Sequence, residues 1–107
     1  MKVGEQVTFQ DEPESTYTIR AMGPRFAVLT RPATKADCEL FEVEWDDNKS
    51  VPIYTLLDSQ DWVRGPDDWI FGVYDYSTDE GCQEALDALE SGDARISRRN
   101  MVRALIA

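Results

Sequence analysis

The chain has 107 residues, enough for one hydrophobic core but not two, and 42% of them are hydrophobic, which fits a folded domain rather than a disordered tail. It has no histidine, which excludes His-based triads, His-ligated zinc and the usual general base near neutral pH. The net charge of −10 is concentrated in residues 36–93, where seventeen acidic side chains face two basic ones, a balance that repels phosphate backbones. No apolar run approaches the ~18 residues of a membrane span. The opening MKVGEQVTFQ lacks the apolar stretch of a secretory signal. Cys38 and Cys82 have neither metal nor disulfide-scaffold spacing and read as buried, reduced thiols, so the expected compartment is the cytoplasm.

Along the chain, Val7-Thr8-Phe9 alternates and reads as a first strand, and DEPES (11–15) reads as a polar loop. Tyr17 to Met22 alternates with Tyr17, Ile19 and Ala21 on one face. Gly23-Pro24 turns the chain and Phe26 to Thr30 runs back, which makes a hairpin. RPATKADC (31–38) reads as a loop. In ELFEVEW (39–45), Phe41, Val43 and Trp45 fall on one side and Glu42 and Glu44 on the other, the spacing of a half-buried strand with an acidic outer face. Asp46-Asp47-Asn48 is turn chemistry, and Val51 to Leu57 is a further strand with Pro52 near its start.

VRGPDDWIFG (63–72) places Pro66 where a tight turn fixes φ, so Asp67 and Asp68 fall at a hairpin tip between Trp62-Val63 and Trp69-Ile70-Phe71. A catalytic Asp pair needs a second group to split its pKa values, and none is marked nearby. YDYSTDEGCQEALDALESGD (74–93) is the clearest helix. Ser77 is the expected N-cap, Glu80 the partner in a capping box, and Asp79 and Glu80 suit the positive end of the dipole. Cys82, Ala85, Leu86 and Leu89 form its apolar stripe, Gly92 its stop, and Glu84, Asp87 and Glu90 its remaining faces. A short last strand is expected around Ile96. About six strands and one C-terminal helix predict a single α+β domain over 1–107, with a strongly bent or SH3-like barrel antiparallel sheet and the helix packed on it.

VRGPDDWIFG followed by YSTDEGCQEALDALESGDARISRRN, together with the PRFAVLTRP hairpin, resembles a pattern in small uncharacterised proteins encoded in bacteriophage and prophage genomes. In that pattern an RGPDN-like turn precedes an acidic helix and an S-R-R-N-like segment, with Asn where Asp68 stands here. The resemblance implies a phage or prophage setting and nothing catalytic.

Three functional readings follow. The first is a non-enzymatic accessory protein that binds a host or phage protein through an acidic surface. Its expected contacts are Glu42, Glu44, Asp46, Asp47, Glu84, Asp87 and Glu90, with Asp67, Asp68, Trp62 and Trp69 beside the turn. In its sharper form the carboxylates, Asp79 among them, take phosphate-like positions and block the basic groove of a nucleic-acid enzyme. The second assigns nucleic-acid contact to Arg95, Arg98, Arg99 and Arg103; the rival is that these arginines pair with the domain's own carboxylates. The third is an oxygen-ligated Mg²⁺ or Ca²⁺ site using Asp58, Asp61, Asp67, Asp68 or Asp75, in a sequence without an EF-hand loop or a phosphate-cradling glycine motif. The first is the expectation: no cofactor, no membrane, a protein partner, and edge strands that invite a homodimer.

Overall fold

Apolar residues recurring every second position put the first third of the chain into antiparallel strands. The computed structural model describes residues 1–46, 52–65, 73–92 and 101–107. Within them β1 (Gln6–Phe9), β2 (Glu12–Met22), β3 (Phe26–Pro32), β4 (Pro52–Asp58), β5 (Val63–Arg64) and β6 (Val102–Arg103) pair in sequence order as one antiparallel sheet. α1 (Lys35–Leu40) follows β3, and α2 (Asp79–Ser91) lies between β5 and β6 in the chain. The sheet curls until its edges meet. Phe9 and Ile106 form a bridge, the Gln10 N–H donates to the Leu105 carbonyl at 2.8 Å, and the Ala107 N–H donates to the Thr8 carbonyl at 2.8 Å. The expected small α+β domain, with a strongly bent antiparallel sheet and a helix packed on it, is what the chain forms.

Because side chains alternate across a strand, the curled sheet has two apolar faces. Phe9, Tyr17, Ile19, Leu29, Ile53 and Leu57 fill the inner one, with Cys38 of α1 and the partly buried Phe41, Val43 and Trp45 packed against them. Ala21, Val28, Tyr54 and Leu56 form the outer one, covered by Cys82, Ala85, Leu86 and Leu89 of α2 and by Tyr76. The Tyr54 and Tyr76 rings stack at 3.8 Å and 7°, and burial holds the Tyr76 phenol above its ordinary pKa. Both thiols are buried, one on each side, and burial raises that of Cys82.

Several sequence expectations are corrected. The segment read as a DEPES loop belongs to β2, which starts at Glu12 after a two-residue turn at Gln10-Asp11. Pro13 lies outside the stretch of β2 in register with β3, Thr18 to Met22, where a missing N–H is tolerated. Residues 39–45 are not a strand. Thr34 caps α1 in a full capping box with Asp37, and Phe41 closes the helix. Glu42 turns back with φ of 57°, and the Val43 N–H donates to the Cys38 carbonyl, so Phe41, Val43 and Trp45 reach the inner core from a turn rather than a ladder. Val63 and Arg64 pair with β4 on one side and β6 on the other, and their expected partners, Trp69 to Phe71, lie outside the described residues. Asp67, Asp68 and Trp69 themselves lie outside the described residues, as does the strand expected around Ile96.

The N-cap of α2 is Thr78, not Ser77, so the third helical position is Gly81 rather than Glu80 and the expected capping box does not form. The Gly81 N–H donates to Thr78 Oγ1 at 3.0 Å, while Ser77 binds the carboxylate of Asp75. Gly81 packs so closely on the Asp75 backbone carbonyl that a Cβ would overlap it. Alanine gains roughly 1 kcal/mol in helix propensity over glycine, but a clash with backbone cannot be relieved by a side-chain rotation. Gly81→Ala is therefore expected to lower stability by roughly 1–3 kcal/mol in urea unfolding. An increase would show that Asp75 yields without cost.

Candidate partner-binding surfaces

Arg20, Arg25, Arg31 and Arg64 are taken up by the chain's own carboxylates. A bulge between Ile19 and Ala21 sets Arg20 on the outer face, where it donates to Thr30 Oγ1 and to Asp79 at 2.6 Å. Arg31 lies over the Tyr17 ring and binds Asp37 at 2.8 Å, with Glu12 at 3.7 Å. Arg64 covers the Phe9 ring and binds Asp11 at 2.7 Å. Arg25, at the β2–β3 tip, forks onto the fully buried carboxylate of Asp58 through Nε and Nη2, with Asp61 at 3.9 Å.

Burial alone would raise the pKa of Asp37. The hydrogen bond from Arg31 and those from the Thr34 N–H and hydroxyl outweigh it and hold the carboxyl below its ordinary 3.8. A depressed folded-state pKa stabilises above the unfolded value and is lost as pH falls through the folded one. Asp37→Asn is therefore expected to be less stable than the wild type at pH 6, with the gap closing as pH drops below 3.8. Thermal melts between pH 6 and 2 measure this, and a pH-independent gap would refute the linkage.

The acidic candidates divide into two groups. Glu42 and Glu44 are exposed, and Asp46 lies beside them, on the turn that packs into the inner core; Asp47 lies outside the described residues. Glu84 and Asp87 are exposed on α2, which covers the outer core. The sheet stands between the groups, so they form two surfaces and not one. On α2, Glu80, Glu84 and Asp87 recur at i, i+4 and i+7 along one exposed line. None has a cationic partner among the described residues, and Asp87 accepts only from Gln83, at 2.9 Å. The sequence spacing places Glu80 in a capping box with Ser77; the shift of the N-cap to Thr78 frees it for the exposed line.

Glu90 has a different task. One carboxylate oxygen accepts from the Arg25 N–H at 2.9 Å and the Phe26 N–H at 2.7 Å, fastening α2 to the hairpin tip. It also lies against Gly23, where a Cβ would strike it. Trp62 sits in the β4–β5 turn with φ of 50°, 44% exposed, its carbonyl accepting from the Ala104 N–H. Of the four arginines proposed to contact nucleic acid, Arg103 is exposed on β6, and Arg95, Arg98 and Arg99 lie outside the described residues.

The described metal candidates, Asp58, Asp61 and Asp75, do not converge, and Asp67 and Asp68 lie outside the described residues. Asp58 is engaged by Arg25 and the Gln60 N–H, Asp61 lies at the edge of that pair, and Asp75 accepts from the N–H and hydroxyl of Ser77. Among the described residues there is no group of three or more Cys, Asp or Glu placed to hold an ion. A groove of about 320 Å³ beside the start of α2 is lined by Thr18, Arg20, Thr30, Arg31, Pro32, Pro52 and Ser77, and both of its guanidinium groups are already engaged, Arg20 by Thr30 and Asp79 and Arg31 by Asp37. No described helix is long and apolar enough to cross a membrane. No protein-family model, curated protein or solved structure matches the chain.

Proposed function

We propose that this is a non-enzymatic accessory protein of the phage or prophage type that binds a basic protein partner through the exposed face of α2. One observation carries the reading: Glu80, Glu84 and Asp87 project along one helix line with no cationic partner among the described residues, in a chain of net charge −10. Arg20, Arg25, Arg31 and Arg64 do not cancel this line, because they are paired with Asp79, Asp58, Asp37 and Asp11. Three carboxylates along about 11 Å of helix, at 1.5 Å per residue, present charge on the scale of successive phosphates on a nucleic-acid strand. The partner fitting such a surface is an enzyme with a basic groove for DNA or RNA, and steering by opposite charge would make binding fast and salt-sensitive.

The test is affinity purification from a bacterial lysate at low salt, with the intact chain as bait and duplex DNA as competitor. A cationic nucleic-acid enzyme is expected to be retained, released by DNA, and lost with the triple change Glu80→Gln, Glu84→Gln, Asp87→Asn. Glu42→Gln with Glu44→Gln, on the opposite side of the sheet, is expected to leave capture unchanged. Capture that ignores the α2 changes, or no such partner at all, would sink the proposal.

A further inference from the structure

The sheet is not held shut uniformly. β3 and β4 are in register over seven residue pairs, from Phe26–Asp58 to Pro32–Pro52. Residues 101–107 close the barrel with far less: two pairs between β5 and β6, the Ala104 N–H on the Trp62 carbonyl, and the bridge to β1 at Phe9 and Ile106. Of that strap only Ala104 is buried; Ile106 is partly buried, and Val102 and Leu105 are more than half exposed. Few buried apolar contacts and exposed backbone hydrogen bonds mark the segments that open first.

Opening would bare the Gln10 N–H and Thr8 carbonyl on β1 and the Val63–Arg64 edge of β5, and an unpaired edge takes up whatever strand complements it. A strap from a second copy complements it by construction. Eight residues, 93–100, separate the Gly92 cap of α2 from the strap in the sequence. Arg103 carries positive charge toward a body of net −10. Repulsion between two such bodies is screened within about 8 Å at physiological salt.

We propose that the seam between β1 and β5 is a strand-docking site that takes the strap of a second copy, giving a strand-exchanged dimer. This goes beyond the α2 reading and does not depend on it. A short tether gives the cis strap an effective concentration on the order of 1 mM, so exchange is a millimolar event and the chain is monomeric at micromolar concentration.

The test mixes isotope-labelled wild-type chain with unlabelled chain carrying a nitroxide at Ala107→Cys; the two native thiols are buried. At about 1 mM, the Thr8 and Gln10 amide signals of the labelled chain are expected to lose a substantial part of their intensity, tens of per cent, falling below about a tenth at 0.05 mM. Broadening spread over unrelated surfaces, or none, would overturn the proposal. Hydrogen exchange on the wild type provides the second reading. The amides of Gln10, Ala104 and Ala107 should exchange at least about tenfold faster than those paired between β3 and β4, and equal protection would also overturn it.

Discussion

Arg25→Ala is expected to lose roughly 3 kcal/mol of stability, the cost of leaving the buried Asp58 carboxylate without its cation. The reasoning turns on which half of the pair is buried. Asp58 has no exposed surface, while the Arg25 side chain is one-third exposed and has Asp61 within 3.9 Å. Removing the arginine takes its guanidinium away from a buried carboxylate that also accepts from the Gln60 N–H. Asp58→Asn strands no anion, and the guanidinium left behind reaches water, so it should cost clearly less. The alanine change also leaves the other fastenings of the tip in place. Glu90 binds the Arg25 and Phe26 N–H groups, and Ser59 donates to the Arg25 carbonyl, all through backbone. The measured loss therefore reports on the guanidinium and not on collapse of the turn. Arg25→Lys keeps the charge but not the two-pronged geometry and should fall between the others. Urea midpoints order the three variants, with a melting temperature lowered by about 12 °C for Arg25→Ala. If Asp58→Asn proves the more damaging, the burial asymmetry has been misjudged.

What could be read from the sequence was what short-range spacing controls. Tyr17 and Ile19 and the Gly23-Pro24 turn announce a hairpin, and Cys82, Ala85, Leu86 and Leu89 with Gly92 announce a helix, because each pattern contains its own period and its own stop. Ala21 does not share the face of Tyr17 and Ile19 as its spacing predicts, because the bulge before it turns it to the outer core. The failures came where two periods compete. ELFEVEW alternates as a strand does, but Thr34 and Asp37 just before it form the T-x-x-D pattern of a helix start. That start prevails because Asp37 is also held by Arg31, seated on the Tyr17 ring of a neighbouring strand. The capping pattern was legible; its tertiary anchor was not. Similarly, Asp58 reads as one more acidic residue near a turn, because its partner is 33 positions away. The two acidic groups look like one surface along the chain, and only the fold shows the sheet between them. Closure of the barrel by residues 101–107 is the longest-range feature of all, joining β1 to residues nearly a hundred positions later, and no local pattern marks it.

Closure is also where the largest loss in the inner core is expected. Phe9 has no exposed surface, meets Tyr17 edge-on at 5.5 Å and 67°, carries the Arg64 guanidinium 4.6 Å above its ring, and bridges Ile106 through its backbone. Phe9→Ala is expected to cost about 3–5 kcal/mol, the range for emptying a buried aromatic site whose surroundings relax only in part. Relaxation is limited on the side of β1, β2 and β5, which are paired along the sheet, while residues 101–107, the strap that closes the seam between β1 and β5, are the side that can yield. Arg64 would also lose the surface that orients it toward Asp11. A uniform core defect would weaken all parts of the sheet together; a defect at the seam should act first on the strap. The Gln10 and Ala107 amides should therefore gain more in exchange rate than those of Leu29 and Leu56, relative to wild type. Leu105→Ala, on the exposed side of the same strap, should stay within about 0.5 kcal/mol of wild type. If Leu105→Ala is as damaging as Phe9→Ala, the strap is held from outside and the seam has a partner in the folded chain beyond Phe9.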